Sequence, residues 1–233
     1  MFSVKLAGLP VRICNRCPET QAFCADYLTK EEPLITLDVT DEVLAKEQAL
    51  ATESISAAYG ECLAVYRLLG EQLPLWDGCI FHGAAIAFDG KAYLFAAPSG
   101  TGKTTHISYW KKAFGHRVSI VNGDKPILRY LDGVLYAWGT PWAGKESLHR
   151  NVGVPVGGIC FLSRGETDRI VPAEASSCVA AALSQIYLPQ GQEAMDKTLT
   201  LLDRILRDVP LWKLECTKDI HSAFVAKEGM IGK

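Results

Sequence analysis

The residues best suited to chemistry form a short glycine-rich segment, Ala97–Thr104, which reads Ala-Pro-Ser-Gly-Thr-Gly-Lys-Thr. Its two glycines, lysine and final hydroxyl residue have the spacing of a phosphate-binding loop, with alanine at the first position. Glycine permits backbone conformations that other residues resist, so successive N–H groups can turn toward phosphate oxygens. Lys103 could reach the β- and γ-phosphates, and the Thr104 hydroxyl could bind Mg²⁺. We therefore expect ATP and Mg²⁺ to be bound by a set of loop residues: Ser99, Gly100, Thr101, Gly102, Lys103, Thr104 and Thr105.

Two polar residues outside the segment could act on the same phosphates. His82 lies on an apolar stretch that runs back, through a turn at Asp89-Gly90, beside the strand that ends at the loop. There it could orient a carboxylate or touch the transferring phosphoryl group. Asp124 follows the apolar strand Val118–Val121, where it could hold Mg²⁺ together with Thr104 or accept a proton from a hydroxyl. The alternatives are a structural histidine at a strand end and an ordinary turn aspartate.

A second glycine-containing loop, Gly139–Glu146, supplies a further candidate. Lys145 could contact a phosphate or the acceptor, and Trp142 could line a pocket. The alternative is an ordinary surface loop with a packed tryptophan. The predicted catalytic residues are thus His82, Lys103, Asp124 and Lys145.

Three cysteines near the start of the chain, Cys14, Cys17 and Cys24, include one Cys-x-x-Cys pair. A structural zinc site needs four ligands, and we find neither a second pair nor a nearby histidine. Buried small apolar side chains are the favoured interpretation, and zinc binding stays the alternative.

Turn signals and apolar runs predict the elements that must position these residues. Asp89-Gly90 and Asp132-Gly133 each separate two apolar runs and predict β-hairpins. The glycine-rich segment follows the second strand of the first hairpin, and a helix is expected after it. Thr40 predicts a helix N-cap, followed by one or two helices with a break near Gly60. We also expect a helix over 173–186. The whole is a mixed α/β chain.

Length and composition exclude several functional classes. The chain has 233 residues, 48% of them hydrophobic, and a formal net charge of −2. A chain without a basic surplus is poorly suited to non-specific nucleic-acid binding. It contains no apolar run long enough for a membrane span and no signal-peptide pattern at Met1–Pro10, so we expect a cytoplasmic protein with reduced thiols.

The string from His82 to Asp124 resembles the catalytic domain of HPr kinase/phosphorylase and related proteins, a group similar in fold to phosphoenolpyruvate carboxykinase. The resemblance rests on His82-Gly83, Ser99–Thr104 and Asn122-Gly123-Asp124, and it extends over about residues 80–215. It implies a mixed-sheet P-loop core over 76–233, with an N-terminal α+β extension over 1–75 packed on it. The family carries paired aspartates where this chain has Gly123-Asp124, so Asp124 would supply the base, the metal contact or both. The resembling kinases assemble, which implies a homo-oligomer.

The resemblance and the residues together predict an ATP-dependent kinase that transfers the γ-phosphoryl group to a hydroxyl. The acceptor would be a protein or peptide, on a seryl hydroxyl, or a small molecule. A catalytically weak nucleotide-sensing module and an NTP hydrolase are the two alternatives.

Overall fold

The structure is a computed structural model that describes residues 1–232. Within them the helices are α1 (Pro18–Phe23), α2 (Asp41–Leu50), α3 (Ala57–Gln72), α4 (Lys103–Phe114), α5 (Val179–Leu183), α6 (Gln192–Asp208) and α7 (His221–Ile231). The strands are β1 (Phe2–Leu6), β2 (Leu9–Cys14), β3 (Ile35–Asp38), β4 (Gly78–Ile80), β5 (Ala84–Phe88), β6 (Lys91–Ala96), β7 (Val118–Asn122), β8 (Ile127–Leu131), β9 (Val134–Trp138), β10 (Gly153–Arg164), β11 (Arg169–Pro172) and β12 (Leu211–Cys216). The fold is mixed α/β, and no helix among residues 1–232 combines the length and apolarity that a membrane crossing requires.

One mixed sheet dominates the molecule, with the strand order β4-β8-β9-β10-β6-β5-β7. The long strand β10 joins its two halves: it pairs antiparallel with β9 at its start and parallel with β6 and β12 further along. β5 lies between β6 and β7 and runs antiparallel to both. β6 and β7 therefore point the same way, and their carboxyl ends meet at one edge of the sheet.

The two predicted Asp-Gly hairpins are confirmed. Phe88 pairs with Lys91 around the first turn and Leu131 with Val134 around the second. In each turn the aspartate and the glycine both have positive φ, as a two-residue hairpin with the twist of the strands demands. A third such turn, Ala7-Gly8, joins β1 to β2 and was not predicted.

The first three strands form a separate small sheet that packs on the large one through α3. One apolar cluster contains Val4 and Leu37 of the small sheet, Leu69 of α3, and Ile80 and Ile127 of the large sheet. The N-terminal third is thereby fixed against the β4–β8 side of the core. The boundary at residue 75 stays a prediction.

The predicted helix break near Gly60 is wrong. Gly60 is buried inside α3, and the break falls at 51–56, where the Ser56 hydroxyl accepts a hydrogen bond from the Tyr59 N–H at 3.2 Å. Thr40 does cap α2, accepting from the Val43 N–H at 3.3 Å. The Ser56 hydroxyl satisfies a free N–H of the first turn, so α3 begins after Ser56, whereas a single glycine does not interrupt the helix.

The predicted helix over 173–186 is also largely wrong, because only Val179–Leu183 is α-helical. The following residues leave the helix to bond with the chain before β5. The His82 N–H donates to the Gln185 carbonyl at 2.6 Å, and the Tyr187 N–H to the Ile80 carbonyl at 2.9 Å. These bonds hold His82 at the edge of the sheet.

Candidate functional site

Three neighbouring strands bring the predicted residues to one edge of the large sheet. Ala84, at the start of β5, pairs with Phe95 near the end of β6, and Ala85 pairs with Asn122 at the end of β7. His82 lies just before β5, the glycine-rich segment (hereafter the glycine loop, Ala97–Thr104) follows β6, and Asp124 follows β7. Adjacent strands lie about 4.8 Å apart, so the ends of β6 and β7 are roughly 10 Å from each other.

The glycine loop lies between β6 and α4, as expected. Gly100 has φ +77° and Gly102 has φ +120°, and a Cβ atom added at either would meet nothing within 4 Å. These positions therefore need glycine for its backbone conformation, since there is space for a side chain. The open space beside them leaves the backbone of the loop and the start of α4 accessible. Four of the predicted binding residues, Ser99, Gly100, Thr104 and Thr105, are exposed.

Lys103 is buried, and its ammonium donates to the carbonyl of Ala97 at 2.8 Å. Burial lowers its pKa, the charge of Asp124 opposes that effect, and the charge of Lys125 adds to it. Lys103 thus lies within electrostatic reach of the residues that follow β7. An ammonium has three N–H donors, so the bond to Ala97 leaves two for another acceptor.

Asp124 is held by two partners. Its Oδ1 lies 3.2 Å from His82 Nε2, and its Oδ2 accepts a hydrogen bond from Lys125 Nζ at 2.9 Å. Burial would raise the pKa of this carboxyl, but the hydrogen bonds and charges of His82 and Lys125 outweigh burial and hold the pKa far below its usual 3.8. Asp124 is therefore an oriented, ionised carboxylate at neutral pH.

A buried amide fixes the turn that carries Asp124. Asn122 is fully buried, and its Oδ1 accepts from the backbone N–H groups of Asp124 at 2.8 Å and Lys125 at 2.7 Å. Its Nδ2 donates to the Thr140 carbonyl at 2.9 Å and the Thr140 hydroxyl at 3.0 Å. Asn122 thereby ties the Asp124 turn to the loop after β9.

The loop after β9 packs directly on this turn. A Cβ atom on Gly123 would lie 3.1 Å from the Ala143 carbonyl, and one on Gly144, where φ is +76°, would lie 3.2 Å from the Cβ of Asp124. The close approach explains why a second aspartate does not fit at position 123 without moving backbone. Lys145, which follows, is exposed and lines a cleft together with Asp124.

A cleft of about 340 Å³ opens on the other flank of the glycine loop, toward β10 and β12. Gly100, Gly102 and Tyr109 line it on the loop side, and Thr217 lines it on the other. Arg164, at the end of β10, donates to the carbonyls of Gly100 and Thr101, the latter at 3.4 Å. The volume lies within the range of small-molecule sites.

The structure brings His82 and Asp124 into contact and places Lys103 within electrostatic reach of Asp124, whereas Lys145 forms no hydrogen bond or ion pair among residues 1–232. Sequence reasoning missed Lys125, Asn122 and Arg164. Lys125 had a signal, since a lysine beside a candidate catalytic aspartate can bond to it. Arg164 had none, because it reaches the glycine loop across the parallel pairing of β10 with β6.

The three cysteines considered as zinc ligands differ in how deeply they are buried. Cys24 is buried, which raises its thiol pKa to about 12, whereas Cys14 and Cys17 are partly exposed. Residues 1–232 contain no group of three or more His, Cys, Asp and Glu side chains arranged to hold a metal ion.

Fold and site define a mixed α/β protein with a glycine loop and an oriented carboxylate at the carboxyl ends of neighbouring sheet strands. The chain belongs to the family described as SynChlorMet cassette protein ScmC, which matches residues 46–226. Among solved structures, the chain shows a likeness to the Hpr(Ser) kinase/phosphatase from Coxiella burnetii, with 13% identity and a TM-score of 0.31, over 55% of this chain and 98% of that one. No curated protein matches it significantly.

Proposed function

We propose that this chain is an ATP-dependent phosphotransferase that moves the γ-phosphoryl group to a hydroxyl acceptor. One observation carries the proposal: the glycine loop, with Lys103, and the His82–Asp124 pair lie at the ends of strands β6, β5 and β7, which are adjacent in the sheet. Phosphoryl transfer depends mainly on positioning and on stabilising charge, and these groups can supply both.

The residues of the loop fit a polyphosphate. Its two glycines with positive φ leave the backbone uncovered, and the N-terminus of the twelve-residue helix α4 faces the same loop. Lys103 retains two N–H donors beyond its bond to Ala97. The cleft lined by Tyr109 and Thr217 would take the nucleoside.

The residues also fit Mg²⁺, which prefers oxygen ligands. Thr104 offers an exposed hydroxyl, and Asp124 an ionised carboxylate whose two oxygens each have one partner and a second lone pair. When bound, Mg²⁺ would neutralise charge on the phosphates.

In the proposed reaction, the acceptor oxygen forms a bond to the γ-phosphorus as the bond between that phosphorus and the ADP oxygen breaks. The acceptor proton passes to the carboxylate of Asp124. Because the pKa of Asp124 is held low, Asp124 is a weak base, and its first task is to orient the hydroxyl by accepting its hydrogen bond. Lys103 stabilises the charge that develops on the phosphates.

The test is transfer of label from γ-labelled ATP, with Mg²⁺, to a lysate of the source organism. The wild type should label an acceptor, and Lys103→Ala should not, because the variant lacks the ammonium that stabilises the charge developing on the phosphates. Asp124→Asn should lose transfer yet bind ATP in calorimetry. The matched control is Asp132→Asn, an exposed aspartate in a hairpin turn that also tolerates asparagine.

The outcomes separate the alternatives. Tight ATP binding without transfer to any acceptor would replace the kinase with a nucleotide-sensing module. Phosphate release that needs no acceptor would indicate an NTP hydrolase. Full transfer by Lys103→Ala would remove the glycine loop from the mechanism.

A further inference from the structure

A second cleft, of about 480 Å³, is lined in part by Asp124 and shares no lining residue with the nucleoside cleft. Its walls come from distant parts of the chain: Phe23 at the end of α1, Tyr59 and Tyr66 on α3, and Trp142 in the loop after β9. Asp124 and Lys125 are also among its lining residues. An apolar cleft that includes the proposed catalytic carboxylate lies where an acceptor must bind.

One hydrogen bond and two aromatic contacts hold the Trp142 wall of this cleft. The Trp142 indole is buried and its N–H donates to the Cys62 carbonyl at 2.9 Å. Phe23 and Tyr66 each meet the Trp142 ring edge to face, with centroids 5.9 and 5.8 Å away. Phe23 is nevertheless 39% exposed and Tyr59 56% exposed, so the cleft presents aromatic surface to solvent. Aromatic surface of this kind favours an apolar ligand group.

The cleft continues past the catalytic pair. A neighbouring cleft of about 420 Å³ shares Tyr66, Arg67 and Lys125 with it and is lined in addition by His82 and the segment 183–188. One groove thus runs on both sides of the His82–Asp124 pair. A groove that extends in both directions from a reacting group fits an extended ligand chain that lies along the groove with its hydroxyl in the middle.

The charged residues of the groove restrict which ligand chains can bind in it. Lys125, Lys145 and Arg67 line the groove, and Asp124 is its only carboxylate in the described part of the chain. Asp124 is already paired with Lys125, and Arg67 is paired with Glu47 at 2.6 Å. Lys145, which forms no ion pair within the described residues 1–232, disfavours basic residues on either side of the acceptor hydroxyl.

We propose that the acceptor is a peptide segment in which the hydroxyl residue is flanked by a bulky apolar, preferably aromatic, residue and by no basic ones. The proposal rests on the proposed function, because it takes Asp124 as the group that accepts the proton of the acceptor hydroxyl. Phe23 and Tyr59 act as specificity residues at the mouth of the cleft, and Trp142 forms part of its wall.

Binding and transfer are measured separately with the full chain. The probe is fluorescently labelled acetyl-Ala-Phe-Ser-Phe-Ala-amide, followed by anisotropy, with competition by acetyl-Ala-Ala-Ser-Ala-Ala-amide, acetyl-Lys-Phe-Ser-Phe-Lys-amide and 3-phenylpropan-1-ol. Burial of one phenyl ring should make the aromatic peptide bind on the order of tenfold tighter than the alanine peptide. The lysine peptide should bind more weakly than the neutral aromatic one.

Two rim variants test whether the groove causes this preference. Phe23→Ala and Tyr59→Ala should each reduce the ratio of aromatic to alanine affinity toward one. The matched control is Phe224→Ala, a phenylalanine on α7 that is 47% exposed and does not line the groove. It should leave the ratio unchanged.

Calorimetry with a non-hydrolysable ATP analogue separates the two proposals. Selective binding of the aromatic peptide without binding of the analogue supports the groove and refutes the kinase. Binding of the analogue and transfer to both peptides with equal kcat/KM refutes the groove and supports the kinase. Tighter binding of the free alcohol than of any peptide would overturn the peptide and identify a small-molecule acceptor.

Discussion

The buried side chain of Asn122 is expected to hold the candidate site together, and its removal tests that directly. Asn122→Ala deletes four hydrogen bonds, two accepted from the backbone of Asp124 and Lys125 and two donated to Thr140. At about 1 kcal/mol for each bond, with the two turn N–H groups partly open to water, the free energy of unfolding should fall by roughly 3 kcal/mol. That is a large part of the 5–15 kcal/mol expected for a whole protein.

The measurement is urea denaturation followed by both fluorescence and circular dichroism, because coincident transitions are needed before one free energy can be assigned. Asn151→Ala is the matched control, since that asparagine is exposed and makes one hydrogen bond, to the Asp26 carbonyl at 3.0 Å. It should cost less than about 1 kcal/mol.

Asn122→Ala should also separate transfer from nucleotide binding. At a temperature where the variant is folded, ATP should bind nearly as in the wild type, because no Asn122 bond reaches the glycine loop. Transfer should fall on the order of a hundredfold, because the Asp124 carboxylate is no longer held in place. A loss of stability below about 1 kcal/mol, or unchanged transfer, would refute the role assigned to Asn122.

Three further predictions concern single residues of the site and its surroundings. His106 is buried, and its Nε2 accepts a hydrogen bond from the Trp110 indole at 3.1 Å. Burial lowers the pKa of His106 from 6.5 to about 4, so as pH falls the unfolded chain takes up this proton before the folded chain does. The free energy of unfolding should therefore fall by roughly 3 kcal/mol between pH 6.5 and pH 4. His106→Gln should flatten that part of the stability profile in denaturation at several pH values, whereas the exposed His116→Gln should not. The pKa of Asp124 is lowered, so its contribution to the free energy of unfolding is complete above pH 3.8 and is lost as pH falls below that value. Asp124→Asn should therefore weaken the dependence of the free energy of unfolding on pH in this acid range. An unchanged dependence would contradict the ion pairs of Asp124. Gly144→Ala should lower the thermal midpoint, at a cost of about 1 kcal/mol, because position 144 has φ +76° and its new Cβ would press on Asp124; an equal or higher midpoint would show that the loop relaxes freely.

The parts of the fold that could be predicted from the sequence depend on local chemistry. Asp89-Gly90 and Asp132-Gly133 form hairpins because those residue types accept positive φ at low cost. The hairpin in turn placed His82 beside the strand that leads to the glycine loop. The helix predicted over 173–186 is largely wrong for the opposite reason. Its apolar residues suit a helix, but the backbone at the end of the segment bonds to residues 80–82, which are distant in sequence.

The contact between His82 and Asp124 could be predicted, but the groove beside it could not. Asp124 and His82 each follow or precede a recognisable strand, so strand direction alone brings them to one edge. Phe23 and Tyr66, in contrast, each resemble an ordinary core aromatic in the sequence, and Trp142 was expected to line a pocket without any indication of its aromatic partners. Their meeting depends on the packing of α3 between the two sheets.

That packing gives the N-terminal third a specific task in the proposed function. The glycine loop and Asp124 belong to the large sheet, whereas Phe23, Tyr59 and Tyr66 belong to the segment before it. Chemistry and acceptor choice would therefore reside on different parts of the chain, joined by the hydrogen bond from Trp142 to the Cys62 carbonyl of α3. A change that loosens α3 should alter which acceptor is used before it alters ATP binding, because the nucleoside cleft is lined by the glycine loop, by α4 and by the ends of β10 and β12, and not by α3.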